Sequence, residues 1–207
     1  MKYNDEKVAG ALLSIGAIQW FLCIVMAEGL HLGFMIRNTD EWVPYSSKIH
    51  YISELGVGST AVLFNSSLFL LGLMLVVASY YLQRAFKSRP SSVLLTITGI
   101  GAIGVAIFPT TIQPTHGIFQ AFAFIAMILS AIMSYRLQKS PLSYASIILG
   151  GISSIALIVF YPYLGLAVGD TVTYLGLGKG AMERLVIYPI LIWLICFGSY
   201  SIGHSKD

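Results

Sequence analysis

The chain has 207 residues, of which 57% are hydrophobic and only 10% charged, and it carries a formal net charge of +3. With a mean hydropathy of +0.81, a compact soluble monomer would leave large apolar patches facing water, so a soluble domain is excluded. The basic residues are spread among connecting segments rather than gathered on one face, which argues against a nucleic-acid partner and leaves membrane lipids as the expected surroundings.

Six apolar stretches run over 8–36, 60–82, 93–108, 117–135, 142–168 and 185–202. Most reach the length of about 20 residues that a helix needs to cross the hydrocarbon core. They predict an all-α integral membrane protein, a compact six-transmembrane-helix bundle forming a single domain over 1–207. The first stretch follows Lys2 and Lys7 as a signal peptide would. It is too long for such a segment and lacks a small-residue cleavage pattern, so a retained first helix is expected. Near its far end Glu28 and His31 stand three residues apart and face the same neighbour. A carboxylate at membrane depth requires a partner, a proton or water.

In the long connection that follows, 48–56 reads KIHYISELG. As a helix it would set His50, Ser53 and Glu54 on one face and Ile49 and Ile52 on another. The prediction is a short interfacial helix, lying at the membrane surface or folded back into the bundle mouth, and stopped by Gly56 and Gly58. Trp42, Tyr45 and Tyr51 would rim that mouth, and Asn65 lies one turn into the second helix. Pro90 and Pro141 mark the starts of the third and fifth helices, where a missing N–H matters little. The short connection 109–116 predicts a helix starting at Thr115 as N-cap, with His116 in its first turn and dependent on a carboxylate from Glu54 or Glu183.

At the start of the sixth helix, Glu183 suits the helix dipole and Arg184 does not. The guanidinium therefore needs a carboxylate, from Glu54 or Glu28, or an anionic headgroup bound bidentately. Gly29 and Gly33, 99–104, and Gly150 to Ser154 offer small surfaces for close helix approach. Cys23 and Cys196 read as buried small hydrophobes.

Six spans place both termini on one side, with Lys2, Lys7, Arg84, Lys87, Arg89, Arg136, Lys139 and Lys206 against Arg37, Lys48, Lys179 and Arg184 opposite. By the positive-inside rule the termini are cytoplasmic, in the cell membrane, and the polar cluster faces out. Some motif matches lead nowhere. Gly99, Gly101 and Gly104 fall inside a membrane helix with no strand before them, and Gly178-Lys179-Gly180 lacks the rest of a phosphate loop.

The elements ISELG at 52–56, FP at Phe108 and Pro109, HG at His116 and Gly117, and ER with YP and Trp at Glu183, Arg184, Tyr188, Pro189 and Trp193 together resemble the prokaryotic six-span proteins grouped as domain of unknown function 998. That resemblance implies the fold and brings no assigned activity. A looser similarity is to six-span eukaryotic proteins of the Frag, DRAM and Sfk type, which implies lipid-related or regulatory roles.

Three functions follow as expectations. The first is binding of a lipid headgroup or small anionic amphiphile in an outer polar cavity built from Arg184, Glu183, Glu54, Ser53, His50, Asn65, Glu28 and His31. The second is an intramembrane hydrolase, metal-dependent or not, with His116 and Glu54 or Glu183 as acid/base groups or ligands. The third is a transporter, which the crowding of polar residues at one end disfavours. No cofactor, metal set or oligomeric state is assigned.

Overall fold

The computed structural model describes residues 2–35, 42–163, 173–174 and 176–204. Arg37, Lys206, the tail of the fifth apolar stretch at 164–168 and the beginning of the connection from Gly169 lie outside the described residues. The helices are α1 (Lys2–Leu30), α2 (Ala61–Phe86), α3 (Arg89–Ile107), α4 (Thr115–Met133), α5 (Leu142–Phe160) and α6 (Lys179–His204). All six are long and apolar enough to cross a membrane. Each packs against its neighbours in sequence, and α6 returns to α1, which closes the bundle into a ring.

Helix–helix association in lipid depends on close packing rather than on escape from water. Glycines supply it here. Added Cβ atoms at Gly72 or Gly99 would come within 2.7 Å of each other's carbonyl oxygens across the α2–α3 crossing. A Cβ on Gly198 would come 2.6 Å from the Gly10 carbonyl at the α1–α6 crossing. A Cβ at Gly29 or Gly151, by contrast, would meet nothing within 4 Å. Large apolar side chains such as Ile158, 74% exposed, face outward as hydrocarbon surroundings require.

Several boundaries differ from expectation. The first apolar stretch leaves the helix at Leu30, because Gly33 takes a φ of 126° and turns the chain into a short antiparallel pair, Phe34–Met35 with Trp42–Val43. Thr115 is the first residue of α4 rather than its cap, which is Pro114. α6 begins at Lys179, so Glu183 and Arg184 lie more than a turn inside it rather than at its start.

Of the two placements expected for 48–56, the structure shows the one folded back into the bundle, with less helix than expected. Only Ser53–Gly56 is helical, as a single 3-10 turn. Every residue over 50–56 is buried, which removes the solvent-facing side that an interfacial helix needs. The segment is a plug seated among α1, α2 and α6, at the end of the bundle opposite the termini.

Candidate functional site

Gly180 is where the plug meets α6. The Lys48 carbonyl accepts from the Gly180 and Ala181 N–H groups at 3.1 and 3.2 Å, using two of the donors that a helix start leaves free. A side chain at 180 would run into the carbonyls of Ser47 and His50, so only glycine lets the two backbones approach this closely.

Two buried carboxylates, Glu54 and Glu183, and a partly buried third, Glu28, then gather with two buried cations. Arg184 donates from Nε and Nη2 to Glu28 Oε1 at 3.0 and 2.5 Å, and from Nη2 to the Tyr45 hydroxyl at 2.5 Å. Its Nη1 donates to the carbonyls of Ser47, His50 and Gly180 at 2.7, 3.0 and 2.7 Å. A guanidinium has five N–H donors, and these six contacts leave none for an external anion. Lys179, wholly buried, donates to Glu54 Oε1 at 3.3 Å and lies 4.5 Å from the centre of the Tyr51 ring. The other Glu54 oxygen accepts from the Tyr51 N–H at 2.9 Å. Glu183 accepts from the Ile52 N–H and, at 3.0 Å, from Gln120 Nε2.

Asn65 donates to the Gly56 carbonyl at 2.9 Å and Thr60 to the Leu55 carbonyl at 2.9 Å, which fasten the plug to α2. The structure therefore brings Glu28, His50, Ser53, Glu54, Glu183 and Arg184 into one region. His31 and Asn65 hold loop backbone at its edge.

Hydrogen bonding assigns the histidine tautomers. Gly33 N–H donates to His31 Nδ1 at 3.0 Å, so Nε2–H donates to the Val57 carbonyl at 3.0 Å. Ser46 N–H donates to His50 Nδ1 at 2.9 Å, leaving the His50 Nε2–H buried without a partner. His116 Nδ1–H donates to the Phe108 carbonyl at 2.7 Å, and its buried Nε2 lone pair has no partner. Among the described residues, His31, His50 and His116 thus make no hydrogen bond to a carboxylate or hydroxyl. Among the described residues no group of three or more His, Cys, Asp or Glu is placed to hold a metal ion.

Burial pushes the Glu54 carboxyl above its ordinary range, with Lys179 pulling it back. Burial also raises the Tyr45 phenol, against the pull of Arg184. Burial, joined by Lys179, lowers His50 from 6.5 to about 4. The fold holds a neutral imidazole, so His50 contributes stability that is present above pH 6.5 and lost as the pH falls towards about 4. Glu54 acts oppositely, because a raised carboxyl contributes in acid and loses that contribution as pH rises. The thermal stability of wild type should accordingly fall from pH 6.5 to 4. His50→Asn, whose amide oxygen can still accept from Ser46, should remove that decline. Parallel pH curves for the two proteins would refute this role of His50.

Beneath the plug lies a partly open cavity of about 60 Å³. Ser53, Gln120 and Glu183 stand at its upper end, and its walls are apolar faces of α2, α3, α4 and α6, including Leu71, Ala102 and Leu191. Along α6 it extends from Glu183 to Leu194, eleven residues or roughly 16 Å at the helical rise. A void of this size has room for about four waters, yet its walls offer them few partners.

Sequence reasoning missed Lys179, Gln120 and the cavity itself. The available signal for Lys179 was its position between two glycines, which permit close packing at a helix start. Residues 14–200 match the family described as Protein of unknown function (DUF998), a span that includes every element on which the resemblance rested. Comparison with curated proteins and with solved structures gave no match.

Proposed function

The chain is a multi-pass membrane protein belonging to the DUF998 family, and we propose that it binds a single lipid-like amphiphile in the cavity beneath the plug. The observation that carries this reading is the cavity's lining: an almost wholly apolar surface whose lining residues also include Glu183, Gln120 and Ser53 next to the plug. A void with room for about four waters suits a short alkyl segment, with a small polar head beside Glu183, Gln120 and Ser53. The saturated Arg184 redirects the expected head from an anion to a hydrogen-bond donor, such as a hydroxyl or amine, because the charged residue on the cavity lining is Glu183. Neither the hydrolase nor the transporter reading has comparable support. His116 has no acid/base partner, and the plug's ion pairs lie at one end of the bundle.

Filling the channel tests this directly. Ala102→Phe should abolish retention of a copurifying amphiphile in native mass spectrometry of protein extracted in mild detergent. Ile155→Phe, on a 66% exposed position, should leave it unchanged. Equal retention in both variants would refute the reading.

The proposed orientation sets both termini on the cytoplasmic side of the cell membrane and the plug outside, on the basic-residue imbalance. In intact cells, an impermeant thiol reagent should label Ser47→Cys, in the plug-side connection, and spare Ser140→Cys, between α4 and α5. The reverse pattern would invert the orientation.

A further inference from the structure

The short antiparallel pair that follows α1 has two unlike faces. Successive residues of a strand point to opposite sides, and residues paired directly across it share a side. Phe34 points inward, its ring centre 4.4 Å from that of His31 and 4.9 Å from that of His50 in the plug. Its neighbour Met35 pairs with Trp42 on the other face, and the two are 64% and 51% exposed. The Trp42 indole lies over the turn at Gly33, where an added Cβ would come 3.1 Å from the ring.

This outward face continues a surface that already meets lipid. Leu22, Met26 and Leu30 recur every four residues and form an exposed apolar stripe along α1. Leu32, 71% exposed, and Met35 prolong it past the helix end. The membrane span of α1, Asp5–Leu30, has 26 residues and measures roughly 39 Å at the helical rise, close to the about 40–45 Å of a bilayer with both headgroup layers. Leu30 and the pair after it therefore stand at headgroup level rather than in bulk water. An indole is favoured at that depth, because its ring meets acyl chains while its N–H meets the polar layer. Methionine, unbranched and polarizable, adapts its shape to such a fluid surface.

We infer that Met35 and Trp42 form a lipid-docking surface, seated in the headgroup layer of the leaflet on the plug side. Its partner is the phospholipid of the surrounding bilayer rather than a second copy of the chain, because the stripe on α1 carries the lipid contact up to it without a break. The contact does not depend on what occupies the cavity. It fixes the depth of a segment whose other face, through Phe34, backs directly onto the plug.

The test compares wild type with Trp42→Phe, a change at an exposed position, each as the full chain in phosphatidylcholine vesicles. The fluorescence difference between the two isolates Trp42 from Trp20 and Trp193. Acyl chains brominated near the carbonyl end should remove most of that difference signal. Chains brominated near the methyl end, and iodide present on both sides of the membrane, should each remove little of it. Quenching by iodide with neither lipid effective would place Trp42 in water. Quenching by none of the three would show it covered by protein, such as a second copy of the chain. Stronger quenching by the deep bromines would place it in the hydrocarbon core. Any of these three results overturns the inference.

Discussion

Arg184→Ala should be among the most damaging single substitutions in the plug region, lowering stability by about 3–5 kcal/mol. The loss has two parts. Glu28 is left as a partly buried carboxylate without its cation, and the carbonyls of Ser47, His50 and Gly180 lose the donors that hold plug and helix together. Arg184→Lys should recover only a minor share, because an ammonium presents three donors from one point and cannot span acceptors set around a planar fork. Equilibrium unfolding in mixed micelles would measure both. A loss under about 1 kcal/mol for Arg184→Ala, the range of exposed ion pairs, would show that the network is not holding the plug.

Lys179→Met should cost about 3 kcal/mol or more, since it strands Glu54 in a fully buried position. Its dependence on pH is diagnostic. Without Lys179, the Glu54 carboxyl rises further and takes up a proton more readily, so the deficit should be small in acid and grow as pH increases. Lys179→Met combined with Glu54→Gln should restore most of the lost stability, because the glutamine oxygen still accepts from the Tyr51 N–H and no charge remains to be compensated. A double variant as unstable as the single one would mean that the pair acts through packing rather than charge.

These two cations mark where the sequence was legible and where it was not. The six helices are visible because each presents a sustained apolar run, and a charge-free core half of a membrane helix is hard to mistake. That Arg184 required a carboxylate was also readable, and Glu28 was one of two candidates. The choice between them was not, since the pair is separated by 156 residues and its geometry depends on how the plug seats.

Half of the Arg184 contacts are to backbone carbonyls, which leave no trace in residue identity. The start of α6 was hidden for a related reason. Lysine, glutamate and arginine so close together read as a solvent-exposed connection, whereas the plug supplies each with an internal partner and draws the whole turn inside. His116 illustrates the opposite error: its position in the first turn of α4 was nearly right, but its Nδ1–H donates to the Phe108 carbonyl and, among the described residues, no carboxylate reaches it. The cavity could not have been anticipated, because a channel is the space left when six faces meet and no single face records it.

The most direct measurement is an experimental density map of the protein purified in mild detergent. An elongated density should run down the channel from Glu183, with its polar end within hydrogen-bonding distance of Glu183 or Gln120. A channel that contains only isolated water, or one closed by inward movement of Leu71 and Leu191, would contradict the proposal that this protein holds an amphiphile.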